Sequence, residues 1–221
     1  MADLAALREE QRAIAARVIA QDALTAAPRF IGGVDISCSR FDPTQRVHAA
    51  IVVLEWPGLT EVARAGISCH ADLPYITGFL AFREVPAALA AFDQLAVKPD
   101  LLMVDGQGIA HPRRCGIAAH LGVMLDLPAI GVGKSRLIGT PEAPLGEAAG
   151  SQVRLLDRGE EIGALLRSRA HSNPLWISIG HRVSLATAVK WVRATSRGRR
   201  LPEPTRLAHE AAGMVRRAAC G

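Results

Sequence analysis

Three carboxylates and a lysine occupy positions from which phosphate chemistry can be done. The apolar run Leu101-Leu102-Met103-Val104 ends in Asp105, followed by Gly106-Gln107-Gly108. A carboxylate at the carboxyl end of a buried strand occupies the usual site position of an open α/β sheet. An Asp before Gly is also a common turn former, and the spacing alone leaves both readings open. Asp35 repeats the pattern in Gly33-Val34-Asp35-Ile36-Ser37. If the two strands are neighbours, the carboxylates face each other and repel unless a cation lies between them. Hard oxygen ligands without soft partners point to Mg²⁺ or Mn²⁺. Glu84 is the third. On a helical wheel it falls within about 60° of Leu80, Ala87 and Ala91, an apolar stripe. A carboxylate buried there without a partner is costly. A cation would resolve the cost, and so would partial exposure with Arg83 or Lys98 as partner. Three such carboxylates suit phosphodiester hydrolysis, by activating water and stabilising the leaving oxygen. Lys134, one of only three lysines, adds positive charge just past the next strand.

Neighbouring motifs extend or compete with this reading. Gly133-Lys134-Ser135 matches the end of a phosphate-binding loop, G-x-x-x-x-G-K-[ST]. The first glycine should then stand at position 128, which is Pro128, and Gly139 and Pro141 cut short the helix that should follow. The nucleotide-triphosphatase reading is therefore rejected. His111-Pro112-Arg113-Arg114 follows the Asp105 turn, where the arginines could meet phosphates and His111 could contact a substrate backbone. A structural role for His111 is an equal alternative. Pro74-Tyr75-Ile76-Thr77-Gly78 holds the only tyrosine. Beside a nuclease site an aromatic loop tip could wedge into a duplex; otherwise it is a packed tyrosine leading a helix. His48, His70, His120, His171 and His181 show no usable spacing and read as structural or surface residues.

These residues need a scaffold. The pattern predicts an amphipathic helix over 3–20, with Asp3 as N-cap. Strands are predicted at 30–36, 48–56 and 59–67, the last two joined through Pro57-Gly58. A helix follows over 78–95, kinked or interrupted at Pro86. Next come a strand to Asp105, a helix over 113–125 and a strand at 128–132. Residues 139–150 read as loop, a hairpin turns at Asp157-Arg158-Gly159-Glu160, a strand spans 174–179, and helices cover 184–195 and 205–217. This order of three antiparallel strands, then strands added in parallel through helices, is shared by the ribonuclease H-like fold. The fold class is thus α/β, with a mixed central sheet flanked by helices. Fold order alone does not establish function.

Composition sets the bounds. The chain has 221 residues, 49% apolar and 21% charged, with net charge +5. Disorder is excluded, because this much apolar surface can offset the ordering entropy. One domain over 1–221 is expected, with a basic C-terminal region (151–221) packed onto it. No run reaches the roughly 18 apolar residues of a membrane span, so no membrane partner is expected. Asp3, Glu9 and Glu10 do not fit a secretory leader. Cys38, Cys69, Cys115 and Cys220 show no metal-ligand or redox spacing. Reduced thiols in a cytoplasm are expected, with Cys115 in a core. Residues 1–150 hold 13 basic and 16 acidic residues, and residues 151–221 hold 13 basic and 5 acidic. A basic final third suggests a polyanion, with nucleic acid first; a plain solvated surface is the alternative. The bias of 23 Arg to 3 Lys suits bidentate phosphate contact, and genomic base composition would also produce it.

Taken together, the motifs resemble the endonuclease V family. The matching stretches are Gly33-Val34-Asp35, residues 51–55 (IVVLE), Pro74-Tyr75-Ile76, Phe82-Arg83-Glu84, residues 104–108 (VDGQG), residues 111–114 (HPRR), residues 131–137 (GVGKSRL) and residues 200–209 (RLPEPTRLAH). They run in order over nearly the whole chain. The resemblance implies a Mg²⁺-dependent enzyme, with Mn²⁺ as substitute. It implies nicking of DNA at the second phosphodiester bond 3′ to deoxyinosine, without base removal. Asp35 and Asp105 match its metal-binding aspartates and Glu84 its third acidic residue. Lys134 and His209 match further active-site residues. Tyr75 matches the wedge, and Leu80, Gly106, Gly108, Gly116 and Leu137 match the base pocket. His111, Arg113 and Arg114 are the expected DNA-backbone contacts. The expected partner is deoxyinosine-containing DNA, with inosine-containing RNA as a second candidate, acted on by a monomer. Two positions depart from the family pattern: Thr77 replaces the second proline of Pro-Tyr-Ile-Pro, and Gly133 replaces the alanine before the lysine. Another ribonuclease H-like nuclease, of junction or excision-repair type, and a non-catalytic nucleic-acid-binding relative are the alternatives.

Overall fold

The computed structural model describes residues 3–38 and 43–220, without the side chain of Cys220. In chain order the elements are α1 (Leu4–Ala16), β1 (Phe30–Cys38), β2 (Arg46–Glu55), β3 (Thr60–His70), α2 (Leu80–Asp93), β4 (Leu101–Val104), α3 (Ile117–Leu125), β5 (Ala129–Gly133), β6 (Thr140–Pro141), β7 (Gln152–Asp157), β8 (Glu160–Leu166), β9 (Leu175–His181), α4 (Leu185–Ser196) and α5 (Glu203–Cys220). The nine strands form one sheet in the order β3-β2-β1-β4-β5-β9-β8-β7-β6. β1–β2 and β2–β3 are antiparallel, and β1–β4 and β4–β5 are parallel. Beyond β5 the pairing returns to antiparallel through β9, β8 and β7. The basic C-terminal region therefore continues the sheet.

Alternation of side chains divides the sheet into two faces. Val34, Ile51, Val53, Leu102 and Val104 pack under α2 and α3, against Ala81, Val85, Ala88 and Leu121. Ile31, Leu101, Met103, Ile130 and Val132 pack on the other face against Val189 and Val192 of α4. On that second face α5 lies over β1 and β2, with Ala211 and Ala212 against Ala50, Val52 and Leu54. The central strands read as near-continuous apolar runs because both faces are covered. α1 joins from outside, with Ile14 against Cys115 and Val123.

Several elements differ from the sequence reading for identifiable reasons. α1 stops at Ala16, because the Ile19 N–H donates to His181 Nδ1 and its carbonyl accepts from Arg182 N. β3 runs on to His70, which pairs with Arg46 of β2. Pro86 does not interrupt α2, which runs through it from Leu80 to Asp93. It sits on the exposed side, where water can satisfy the carbonyl its missing N–H leaves open. Gly133-Lys134 is followed by bends rather than a helix, consistent with rejecting the phosphate-loop motif. Cys38, Cys69 and Cys115 are free thiols, and the Cys220 side chain lies outside the described residues.

Gly33 seats α5. A Cβ at this position would lie 1.8 Å from the Pro204 carbonyl oxygen, so only a bare backbone lets the first turn of α5 touch β1. Gly33→Ala should destabilise the fold by about 1–3 kcal/mol through overpacking. Urea unfolding monitored by circular dichroism checks this; an unchanged midpoint would show that α5 does not depend on that contact.

Candidate active site

The acidic cluster is a product of strand register. Val34 of β1 is paired with Val104 of β4 in a parallel ladder, and Asp105 N donates to the Val34 carbonyl at 2.9 Å. The next residues, Asp35 and Asp105, are therefore neighbours across roughly one inter-strand spacing. Both belong to the face covered by α5. That helix supplies His209, whose Nδ1 lies 3.0 Å from Asp35 Oδ2. One ligand atom from each of Asp35, Asp105 and His209 can be chosen so that all lie within 4.8 Å of one another. Lys134, one residue past β5, forms an ion pair with Asp105 Oδ2.

Glu84 reaches the region from the opposite face. It is buried on α2, and its Oε1 accepts from the Cys38 thiol at 3.4 Å. It lies outside the closest ligand group, and His209 takes the third place that the sequence assigned to it. Neither Arg83 nor Lys98 forms a salt bridge with it: Arg83 Nη1 instead donates to Gln45 Oε1 and the Leu73 carbonyl. Burial first, then the charges of Asp35 and Asp105, push the Glu84 carboxyl up to about 8. Burial and the Asp35 charge push Asp105 up to about 6, against the pull of Lys134. Two carboxylates and an imidazole, crowded together and short of positive charge, form a donor set that fits a hard divalent cation.

Asp105 also borders a cavity of about 430 Å³ on the α2 side, within the range of small-ligand pockets. Tyr75, Leu80, Gly106, Gly116 and Leu137 line it, together with Glu84 and Lys134. Gly108 does not line it. Its Cβ position is 1.9 Å from the Ile179 carbonyl oxygen and its N–H donates to Ser178 Oγ, so it packs the turn onto β9 beneath the cavity. A separate cavity of about 530 Å³ between the β7–β8 ribbon and α4 contains none of the expected site residues.

The expected phosphate contacts after Asp105 are turned inward. His111 is buried; desolvation holds it near 4 and hence neutral, and its Nδ1 accepts from Arg113 N. Arg113 bonds Gln11 and the Gly78 carbonyl, and Arg114 pairs with Asp157 and Glu160. Arg113 and Arg114 thus brace the loop through local acceptors, and His111 takes part as an acceptor while also lining the cavity. The basic third is likewise partly committed: Arg154, Arg182 and Arg206 form ion pairs, and Arg167 clamps carbonyls. Arg217 of α5, in contrast, borders the opening that contains Asp35 and His209.

Three residues escaped sequence reasoning. Arg200 donates to the carbonyls of Lys134, Asn173 and Pro174, fixing the backbone under the lysine. Gln107 donates from Nε2 to the Ser135 carbonyl at 3.0 Å, and a Cβ on residue 133 would stand 2.2 Å from that nitrogen. Gly133 therefore makes room for the Gln107 amide. Gln11 is buried between loops far apart in sequence. Arg200 and Gln107 stand in stretches that carry the resemblance, 200–209 and 104–108, without a role assigned to either; Gln11 carries no spacing signal.

The sheet order, with an acidic pair on β1 and just past β4, defines a ribonuclease H-like α/β protein. The family model described as endonuclease V matches residues 12–210. The endonuclease V of Gloeobacter violaceus is 53% identical over 188 residues, covering 85% of this chain and 76% of that protein. The crystal structure of Streptomyces avermitilis endonuclease V superposes with a TM-score of 0.92 at 38% identity, covering 100% of this chain and 96% of that one. Ciona intestinalis endonuclease V, solved in complex with a 23mer DNA containing an inosine followed by a ribo-adenosine, has a TM-score of 0.85 at 26% identity, covering 99% of this chain and 100% of that one. The chain belongs to the endonuclease V family and is an endonuclease. No helix among the described residues is long and apolar enough to cross a membrane.

The raised carboxyls make the metal-free protein sensitive to pH. A carboxyl whose folded pKa exceeds its unfolded value of about 4 binds more protons when folded, so stability falls as pH rises through that interval. Asp105 acts up to about 6 and Glu84 up to about 8. In EDTA the melting temperature should fall between pH 5 and pH 8, and Mg²⁺ should restore more of it at pH 8 than at pH 6. Thermal melts across that range check this; a flat profile in EDTA would contradict the crowded-carboxylate geometry.

Proposed function

We propose that this endonuclease nicks DNA at the second phosphodiester bond 3′ to deoxyinosine, with Mg²⁺ held by Asp35, Asp105 and His209 and replaceable by Mn²⁺. The observation that carries the reading is the continuity of the two sites. The carboxylate cluster and the cavity bordered by Tyr75 share Asp105 and Lys134, so a base lodged in one fixes the strand passing the other. The DNA held by the Ciona relative supports the lesion.

Bound there, the divalent ion would supply Lewis-acid stabilisation of charge developing on the phosphate. The protein's own groups do the rest. Tyr75 fills the space left by the extruded nucleotide, and the cavity receives hypoxanthine. An inosine–thymine mismatch unpairs more readily than a normal pair, which supplies part of the selectivity. The Asp35 carboxylate holds His209 through Nδ1 and so turns its other ring nitrogen toward the cation. Lys134 offsets negative charge at the scissile group. Glu84, with its proton affinity raised by burial, orients the attacking water and takes its proton. Arg217 lies beside this opening as a backbone contact. A second reading, cleavage of inosine-containing RNA, is favoured by the ribo-adenosine that follows the inosine in the Ciona complex.

Cut-site mapping on strands with a single deoxyinosine or inosine, in Mg²⁺, Mn²⁺ and EDTA, tests the proposal. The expected product is one nick, at the second bond 3′ to the lesion, lost in EDTA. Asp35→Ala should reduce nicking by more than about a hundredfold. Equal cutting of undamaged duplexes and four-way junctions would favour another nuclease of this fold. No cutting by the unmutated protein would favour a binding protein. DNA affinity should also fall steeply as salt rises.

A further inference from the structure

A single side chain from α1 ties together the two loops that face each other across the cavity. Gln11 is 1% exposed and uses its whole amide. Its Nε2 donates to the Gly78 carbonyl at 3.2 Å and to the Cys115 carbonyl at 2.9 Å. Its Oε1 accepts from Arg113 Nε. Arg113 Nη2 donates to the same Gly78 carbonyl at 2.5 Å, and its guanidinium lies 4.4 Å from the centre of the Phe79 ring. A primary amide has two N–H donors, and here one goes to each loop.

The two acceptors are well placed to matter. Gly78 closes the loop that carries Tyr75. Its φ of +83° suits glycine, and a Cβ there would come within 2.8 Å of Arg113 Nη2. Cys115 precedes Gly116 in the facing cavity wall. Within the Tyr75 loop, Phe79 N donates to the Ile76 carbonyl at 2.9 Å. Without Gln11, two carbonyls lose a donor and the half-buried Arg113 guanidinium loses an acceptor.

We propose that Gln11 is a positioning residue for base extrusion: its amide fixes the separation between the Tyr75 loop and the Gly116 wall, so that wedge and cavity act on the same nucleotide. This rests on the reading of Tyr75 as the wedge. A deoxyinosine in single-stranded DNA has no stacked partner strand to be opened, so loss of the clamp falls chiefly on duplex substrate.

The test compares kcat/KM on duplex and single-stranded oligonucleotides with one deoxyinosine, for the unmutated protein, Gln11→Ala, Gln11→Glu and Tyr75→Ala. Gln11→Glu keeps the size and the acceptor for Arg113 but removes both donors; if Gln11→Ala fails to fold, it carries the test. The duplex-to-single-strand ratio should fall about tenfold in each variant. A second readout needs no cleavage: 2-aminopurine beside the deoxyinosine in a duplex, in EDTA, should brighten on binding the unmutated protein and less on binding either Gln11 variant. An unchanged ratio and unchanged fluorescence in folded Gln11 variants, with Tyr75→Ala lowering both, would overturn the role of Gln11 alone. An unchanged ratio in Tyr75→Ala would overturn the wedge reading and the proposal with it.

Discussion

Asp35 and Asp105 lie side by side because β1 and β4 are parallel neighbours in register at Val34 and Val104. That juxtaposition is the constraint around which the rest of the molecule is arranged. Two like charges at strand spacing are unfavourable, and burial raises the cost because the surroundings screen poorly. Two partners answer it, Lys134 from the end of β5 and His209 from α5, and the donor set that results fits a divalent cation. Glu84, pressed in from α2, adds a third acid to a place already short of positive charge. Such a cluster is better suited to holding a cation and a phosphate than to stabilising the chain.

Keeping those partners in place depends on close backbone approach. Gly33 admits the first turn of α5 to the face of β1, and His209 follows one turn later. Gly108 lets the turn after Asp105 settle on β9. Gly133 leaves room for Gln107, which in turn holds the Ser135 carbonyl beyond Lys134. The arginines work with these glycines. Arg200 gathers the carbonyls of three residues around Lys134, and Arg113 caps the Gly78 carbonyl. A guanidinium has five donors in a fixed fork, which suits it to loops whose carbonyls have no regular partner. Much of the basic surplus in the final third thus serves the scaffold, and a smaller part, including Arg217, faces the opening.

The elements were largely legible because their signals are local. Unbroken apolar runs marked β4 and β5, Pro57-Gly58 marked the β2–β3 hairpin, and Asp157 to Glu160 marked the β7–β8 turn. The places where the pattern misled are places where distant backbone intervened. Val18 and Ile19 continue the helical spacing of α1, yet the Ile19 backbone pairs beside β9. Elsewhere local pattern and distant packing overlap: in the run His111 to Arg114, Gln11 and Gly78 engage Arg113, and Asp157 and Glu160 engage Arg114.

The sequence by itself determined the fold class, the family and a short set of candidate acidic and basic residues, because apolar periodicity and ordered motifs are written in residue types. Only the tertiary structure decided which of those residues share a site. His209 stands 174 positions from Asp35 and reaches it through the seating of α5 on Gly33. Glu84 comes to the cluster from the other face of the sheet, and Gln11 bridges loops 67 and 104 positions away. Contacts of that kind depend on register, helix seating and the vacant volume above a glycine, which exist only once the chain has packed.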